Sequence, residues 1–213
     1  MKWNVPNILT MIRLACTPLV VLMFLLDLPS GIGIFVALGI YILACITDFL
    51  DGYIARKYNM VTDFGKFMDQ IADKAITTSA MVLVLLATRN VTVVWLAIVL
   101  VLTVILRDTI ISGIRMVAAN KKIVIAADIF GKIKSLFLDV ASMVLMLYVG
   151  LTACLAGAEN AKIGVMPIEY IRCLGLSLMV VGAGLTVVSC VNYSVKAVKA
   201  LKALSNEKAE EKK

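Results

Sequence analysis

Apolar residues dominate this chain in long runs, and short clusters of polar residues, Pro and Gly interrupt them. The breaks fall at LPSG (28–31), NMVTDF (59–64), TRN (88–90), the NKK region (120–122) and AGAENAK (156–162). They leave six apolar spans, 8–27, 32–57, 65–88, 91–119, 130–157 and 165–195. Each reaches the roughly 20 residues that a helix needs to cross the hydrocarbon core of a bilayer. The pattern predicts an all-α integral membrane protein with six transmembrane helices. Residues 1–195 are expected to form a single membrane domain, and 196–213 a polar tail fraying from the last helix. Neither an internal repeat nor a second domain is visible.

Composition sharpens this reading. The chain is 62% hydrophobic and 16% charged, with mean hydropathy +0.99, whereas soluble domains are about 45–50% apolar and about 25% charged. An ordinary soluble domain is excluded. The net charge of +7 reflects where Lys and Arg are placed, not a nucleic-acid surface. If the N-terminus lies inside, alternate loops on the far side keep Arg89, Lys162 and Arg172, and the rest fall on the near side. That asymmetry predicts cytoplasmic N- and C-termini in a multi-pass cell-membrane protein. The first span carries Arg13 within its apolar run and lacks a small-residue cleavage site, so it is expected to remain in the mature protein. There is no His, so acid–base work falls to carboxylates. Five cysteines scattered through apolar segments, with no CxxC pair, read as small core residues.

Against this background the stretch TDFLDGYIARKYNMVTDFGKFMDQIADK, beginning at Thr47, is anomalous. Asp48 and Asp51 share a helix face at a spacing of three, and Asp69 and Asp73 do so at a spacing of four on the next span. The loop between them is short, which predicts antiparallel neighbouring helices and four carboxylates meeting at one membrane surface. Uncompensated carboxylates in a membrane helix are costly, and divalent cations resolve the repulsion. Hard oxygen ligands without His or Cys point to Mg²⁺ or Mn²⁺. The competing reading pairs the acids with Arg56, Lys66 and Lys74 in a solvated helix-end network. Asp63, off the pattern, is expected to cap the following helix. Gly52 and Gly65, costly in helix interiors, leave room for a phosphate or planar group, with Ala55 keeping the same face open and Arg56 available as a phosphate donor. Close helix packing is the alternative for either glycine.

The pattern Asp48-x2-Asp51-Gly52-x2-Ala55-Arg56-x8-Gly65-x3-Asp69-x3-Asp73 resembles, at every defined position and spacing, the signature of the CDP-alcohol phosphotransferase family. The resemblance implies a six-helix membrane enzyme, often a homodimer, whose site opens to the cytoplasm. It implies transfer of a phosphatidyl or similar group from a CDP-linked donor to an alcohol, with release of CMP. It further implies that Asp48, Asp51, Asp69 and Asp73 hold two divalent ions, that Asp73 is also the base, and that Gly52, Ala55, Arg56 and Gly65 form the CDP-binding surface. Gln70 stands where relatives usually have proline, which predicts a straighter start to the third span.

The acceptor is read elsewhere. RDTIISGIRMVAA (107–119) and FGKIKS (130–135) place Arg107, Arg115, Lys132 and Lys134 near the expected cytoplasmic surface, where cations can bind an acceptor phosphate or anchor to lipid headgroups. With VPNILTMIRLACTP (5–18), these stretches are similar to the branch of the family that uses CDP-diacylglycerol as donor and sn-glycerol 3-phosphate as acceptor. Arg115 and Lys134 are the first candidates for the acceptor phosphate, followed by Arg107 and Lys132. Asn7, Thr10 and Arg13 are further candidates for the nucleotide or acceptor pocket. Asp108 after Arg107 also occurs in relatives whose acceptor is phosphatidylglycerol, so that acceptor and inositol phosphate stay open. A cation-binding transporter is the alternative from another class, but the acids cluster at helix ends and no inverted repeat is visible.

Overall fold

The computed structural model describes residues 5–26, 28–58, 62–87, 91–120, 129–156 and 165–210. All regular structure among them is helical: α1 (Val5–Leu25), α2 (Ile32–Lys57), α3 (Asp63–Ala87), α4 (Val91–Asn120), α5 (Ile129–Ala156) and α6 (Val165–Glu210), with a 3-10 turn at Pro29–Gly31. Five stretches are long and apolar enough to cross a membrane: Val5–Leu25, Pro29–Ala55, Phe67–Ala87, Ile133–Leu155 and Ile168–Lys196. This is a multi-pass helical membrane protein. The expected span 91–119 falls on α4, several of whose side chains lie outside the described residues.

Local chemistry explains the boundaries. Pro6 sits in the first turn of α1, where its missing N–H is not needed. Pro18 lies inside α1. Between α1 and α2 the chain reverses through Ser30 and Gly31, both at positive φ. A Cβ on Gly31 would stand 2.8 Å from Cβ of Ala153 on α5, so glycine meets both the backbone and the packing demand here. Thr62, not Asp63, caps α3: its hydroxyl accepts from the Gly65 N–H at 3.0 Å, while Asp63 is already the first helical residue. The chain beyond 195 does not separate from the bundle helix, since α6 runs on to Glu210. α3 is continuous through Gln70.

The bundle buries small residues where its helices meet, with larger ones among them, and leaves many large apolar side chains exposed. Ala37, Ala44, Ala72, Ala80, Ala141 and Ala183 are buried at helix contacts, alongside Val20, Tyr41, Met146 and Met179. Leu43, Phe49, Trp95, Leu106 and Tyr170 are exposed. Close backbone approach through small residues is how helices associate where lipid, not water, surrounds them. α5 packs along α6 and also meets α2 and α3, and α4 packs on α6 and α3. α2 and α3 barely touch each other; α1 packs extensively against both and lies between them. The expected direct pairing of the two acid-bearing helices is therefore replaced by a three-helix arrangement around α1.

Candidate active site

The last turns of α2 carry Asp48 and Asp51, and the early turns of α3 carry Asp69 and Asp73. What joins them is Arg13 of α1, which is 2% exposed. Its guanidinium donates to Asp48 and Asp51 through separate nitrogens, and to Asp69 at 3.2 Å. A planar fork of donors suits this role, since it meets carboxylates from two helices at once. One carboxylate oxygen from each of Asp48, Asp51 and Asp69 falls within 4.8 Å of the others. Asp51 is 4% exposed, whereas the side chains of Asp48 and Asp69 are 43% and 48% exposed, so the cluster opens on one side.

Three convergent carboxylates with an open side fit a hard divalent cation, and the set contains neither His nor Cys. Arg13 shows that the cluster is organised around positive charge. Asp73, one turn beyond Asp69, is exposed and stands outside the group of three. It lines a cavity of about 140 Å³ between α3, α4 and α5, shared with Lys74, Thr77, Asp108, Lys134 and Ser135.

The far wall of that cavity is a second ionic network of opposite sign. Asp108 Oδ1 accepts from Arg107 at 2.7 Å and from Lys134 Nζ at 2.5 Å. Arg107 also donates to Ser189 Oγ of α6 at 2.6 Å. Lys74 donates to Ser112 Oγ at 2.6 Å and to the Asp108 carbonyl at 3.3 Å. Lys134, at 5% exposure, is too buried to be a headgroup anchor on the surface. Arg107 and Lys134 therefore meet on one acid from neighbouring helices. The side chains of Arg56, Arg115 and Lys132 lie outside the described residues.

Gly52 and Ala55 are half-buried on α2, directly after Asp51 and one turn beyond it. At Gly65 the place of a Cβ is taken by Asn7 Oδ1, and Thr62 Oγ1 lies 2.9 Å away. Asn7 Nδ2 also donates to Thr62 Oγ1 at 3.3 Å, so this glycine seats α3 directly on α1. The Thr10 hydroxyl is used within its own helix, donating to the Pro6 carbonyl at 3.0 Å. Sequence reading missed two features. Arg13 enters the sequence reading only as a further candidate for the nucleotide or acceptor pocket, and its pairing across 35 to 56 residues has no signature in local spacing. Asp139 went unremarked, although an acid alone in the apolar run LFLDVASMV was itself a signal.

Comparison with known proteins adds an independent line. A family model described as CDP-alcohol phosphatidyltransferase matches residues 3–191. The chain is 31% identical over 190 residues to a CDP-diacylglycerol–glycerol-3-phosphate 3-phosphatidyltransferase of Rickettsia bellii, covering 89% of this chain and 93% of that one. It is 34% identical over 195 residues to the protein of the same description from Shigella flexneri serotype 5b, covering 91% and 94%. The Bacillus subtilis protein so described is 33% identical over 156 residues, covering 68% and 78%.

Proposed function

This chain belongs to the CDP-alcohol phosphatidyltransferase family of transferases, and from that membership we propose that it transfers the phosphatidyl group of CDP-diacylglycerol to sn-glycerol 3-phosphate, giving phosphatidylglycerophosphate and CMP. The observation that carries the choice of acceptor is the cavity that Asp73 shares with Lys134 and Asp108. A small phosphorylated alcohol there meets a base at one end and cations at the other. The activity named for the relatives points the same way.

Asp48, Asp51 and Asp69 hold the metal, Mg²⁺ or Mn²⁺, with Asp73 completing a site for two ions. Metal held there would neutralise charge on the donor pyrophosphate and on CMP as the leaving group. Gly52, Ala55 and Arg56 form the surface for the CDP moiety, and Gly65 contributes to it by seating α3 on α1, since Asn7 fills the place of its Cβ. Lys134 and Arg107 hold the acceptor phosphate by exchanging part of their bonding to Asp108, and Arg115 and Lys132 are further candidates for that role. Asp73 accepts the proton of the acceptor hydroxyl as that oxygen bonds to the lipid-side phosphorus and the bond to CMP breaks. No covalent enzyme intermediate is required, because the nucleophile is the acceptor itself.

The apolar outer faces of the helices hold the diacyl tails beside this polar site. Six spans with both termini in the cytoplasm, and a site opening to that side of the cell membrane, agree with the Lys and Arg asymmetry. A homodimer is the expected assembly. The test is CMP release from CDP-diacylglycerol by the purified protein with Mg²⁺, with glycerol 3-phosphate, phosphatidylglycerol and inositol phosphate supplied separately and Asp73→Asn as control. Release with glycerol 3-phosphate alone is expected. Release only with another acceptor overturns the acceptor assignment and leaves the metal site standing.

A further inference from the structure

Deep to the acid cluster stands a carboxylate that the reaction does not use. Asp139 of α5 accepts two hydrogen bonds on the same oxygen, from the Tyr41 hydroxyl of α2 at 3.0 Å and from the Thr77 hydroxyl of α3 at 3.0 Å. Tyr41 is fully buried. Among the described residues no Lys or Arg forms a salt bridge with Asp139. A carboxylate kept within an apolar span is expensive, and one supported by donors from two other helices marks a function.

Both donors lie on the faces that carry the acids. Asp69, Asp73 and Thr77 follow one another at intervals of four along α3, and Tyr41 precedes Asp48 by seven residues along α2. α2 and α3 make little direct contact, so their relative register is set by what bridges them. Arg13 bridges them at the level of the acids, and Asp139 bridges them deeper in the bundle. We infer that Asp139 is a positioning residue for the metal-binding carboxylates. By tying Tyr41 to Thr77 it fixes α2 against α3, and with them the spacing of Asp48 and Asp51 from Asp69 and Asp73. The inference rests on the metal-site reading of those acids and extends it to a residue without contact to metal or substrate.

The experiment is Mn²⁺ binding to the purified full-length protein in detergent, followed by the electron paramagnetic resonance signal of the free ion, with the acceptor KM measured in parallel. Asp139→Leu removes both bonds while keeping the branching at Cγ, at a larger volume. Its Mn²⁺ affinity is expected to fall about 10- to 100-fold, the range for outer partners of metal ligands, while the KM for glycerol 3-phosphate holds. Asp139→Asn retains an oxygen that accepts both bonds and is expected to bind Mn²⁺ close to wild type. Tyr41→Phe combined with Thr77→Val, which leaves Asp139 in place, is expected to match Asp139→Leu in Mn²⁺ affinity and serves as that measurement if Asp139→Leu does not fold; its acceptor KM is not compared, because Thr77 lines the acceptor cavity. Wild-type Mn²⁺ affinity in Asp139→Leu or in the double variant overturns the inference, as does an Asp139→Asn variant as impaired as Asp139→Leu. Asp51→Asn separates the two levels. If wild type binds Mn²⁺ no better than Asp51→Asn, the metal site itself falls, and the positioning role with it. If wild type binds and Asp51→Asn does not, an unaffected Asp139→Leu removes the positioning role alone.

Discussion

The two ionic networks of this protein are mirror images in charge. Around Arg13, three carboxylates surround one guanidinium, leaving an excess of negative charge. Around Asp108, two cations share one carboxylate, leaving an excess of positive charge. Each is built on a buried cation, Arg13 or Lys134, and each draws residues from neighbouring helices. A network that closes its own charge is structural. One that leaves charge over, in a low-dielectric setting, attracts a ligand of the opposite sign. The first is thus suited to a divalent metal and the second to a phosphate. Asp73 stands between them, one turn from Asp69 and on the wall of the cavity that reaches Lys134.

That difference is open to direct attack, and the largest effect is expected at the negative network. Asp51→Asn removes the most buried of the three carboxylates, and Asp48→Asn or Asp69→Asn each removes another. Metal stabilisation of the transferring group is worth several kcal/mol, so turnover should fall about 10³-fold or more. CMP release measured across a Mg²⁺ titration checks this, and near-normal turnover at saturating Mg²⁺ removes the metal assignment.

Asp73→Asn comes next. Loss of a general base lowers turnover about 10²- to 10⁴-fold. The acceptor KM should stay near wild type and the Mg²⁺ requirement should rise, because the roles proposed for Asp73 are to receive a proton and to complete the two-ion site, not to anchor the acceptor phosphate. An acceptor KM that rises in step with the loss of turnover would instead put Asp73 within the phosphate-binding network.

Much of the first network was legible in the sequence and little of the second. Spacings of three and four placed the acids in pairs on two helix faces, and the apolar runs marked helix limits to within a few residues. The exception is α6, where apolarity ends near 195 but the following Ala-, Lys- and Glu-rich stretch has the propensity to continue as helix. Pairings between distant helices were not legible, since Arg13 meets Asp51 across 38 residues and Lys134 meets Asp108 across 26. Local propensity also could not choose between Thr62 and Asp63 as the cap of α3. Both residue types cap well, and the choice depends on which oxygen the Gly65 N–H reaches.

The positive network should give a smaller and more selective effect. A hydrogen bond to a charged group contributes about 1.5–3 kcal/mol, so Lys134→Ala or Arg107→Ala should raise the acceptor KM about 10- to 100-fold. Arg115→Ala should act in the same direction. The donor KM and the Mg²⁺ requirement should hold in all three. Equal shifts in donor and acceptor KM would refute a dedicated acceptor site and merge the two networks into one.

The smallest effect is expected at the joint between α1 and α3. Gly65→Ala drives a methyl group into Asn7 Oδ1 and toward Thr62 Oγ1, the atom that caps α3. Overpacking of this kind costs about 1–3 kcal/mol, a fall of several degrees in Tm for a chain of this length. The displaced segment is the first turns of α3, which carry Asp69, whereas Lys74, the α3 residue that bonds the Asp108 carbonyl, lies further along the helix. A higher Mg²⁺ requirement and donor KM with an unchanged acceptor KM is therefore the expected pattern, read by thermal unfolding in detergent beside the kinetic assay. If the acceptor KM rises as well, movement at this joint reaches the phosphate network, and the two charge centres are mechanically coupled through α3.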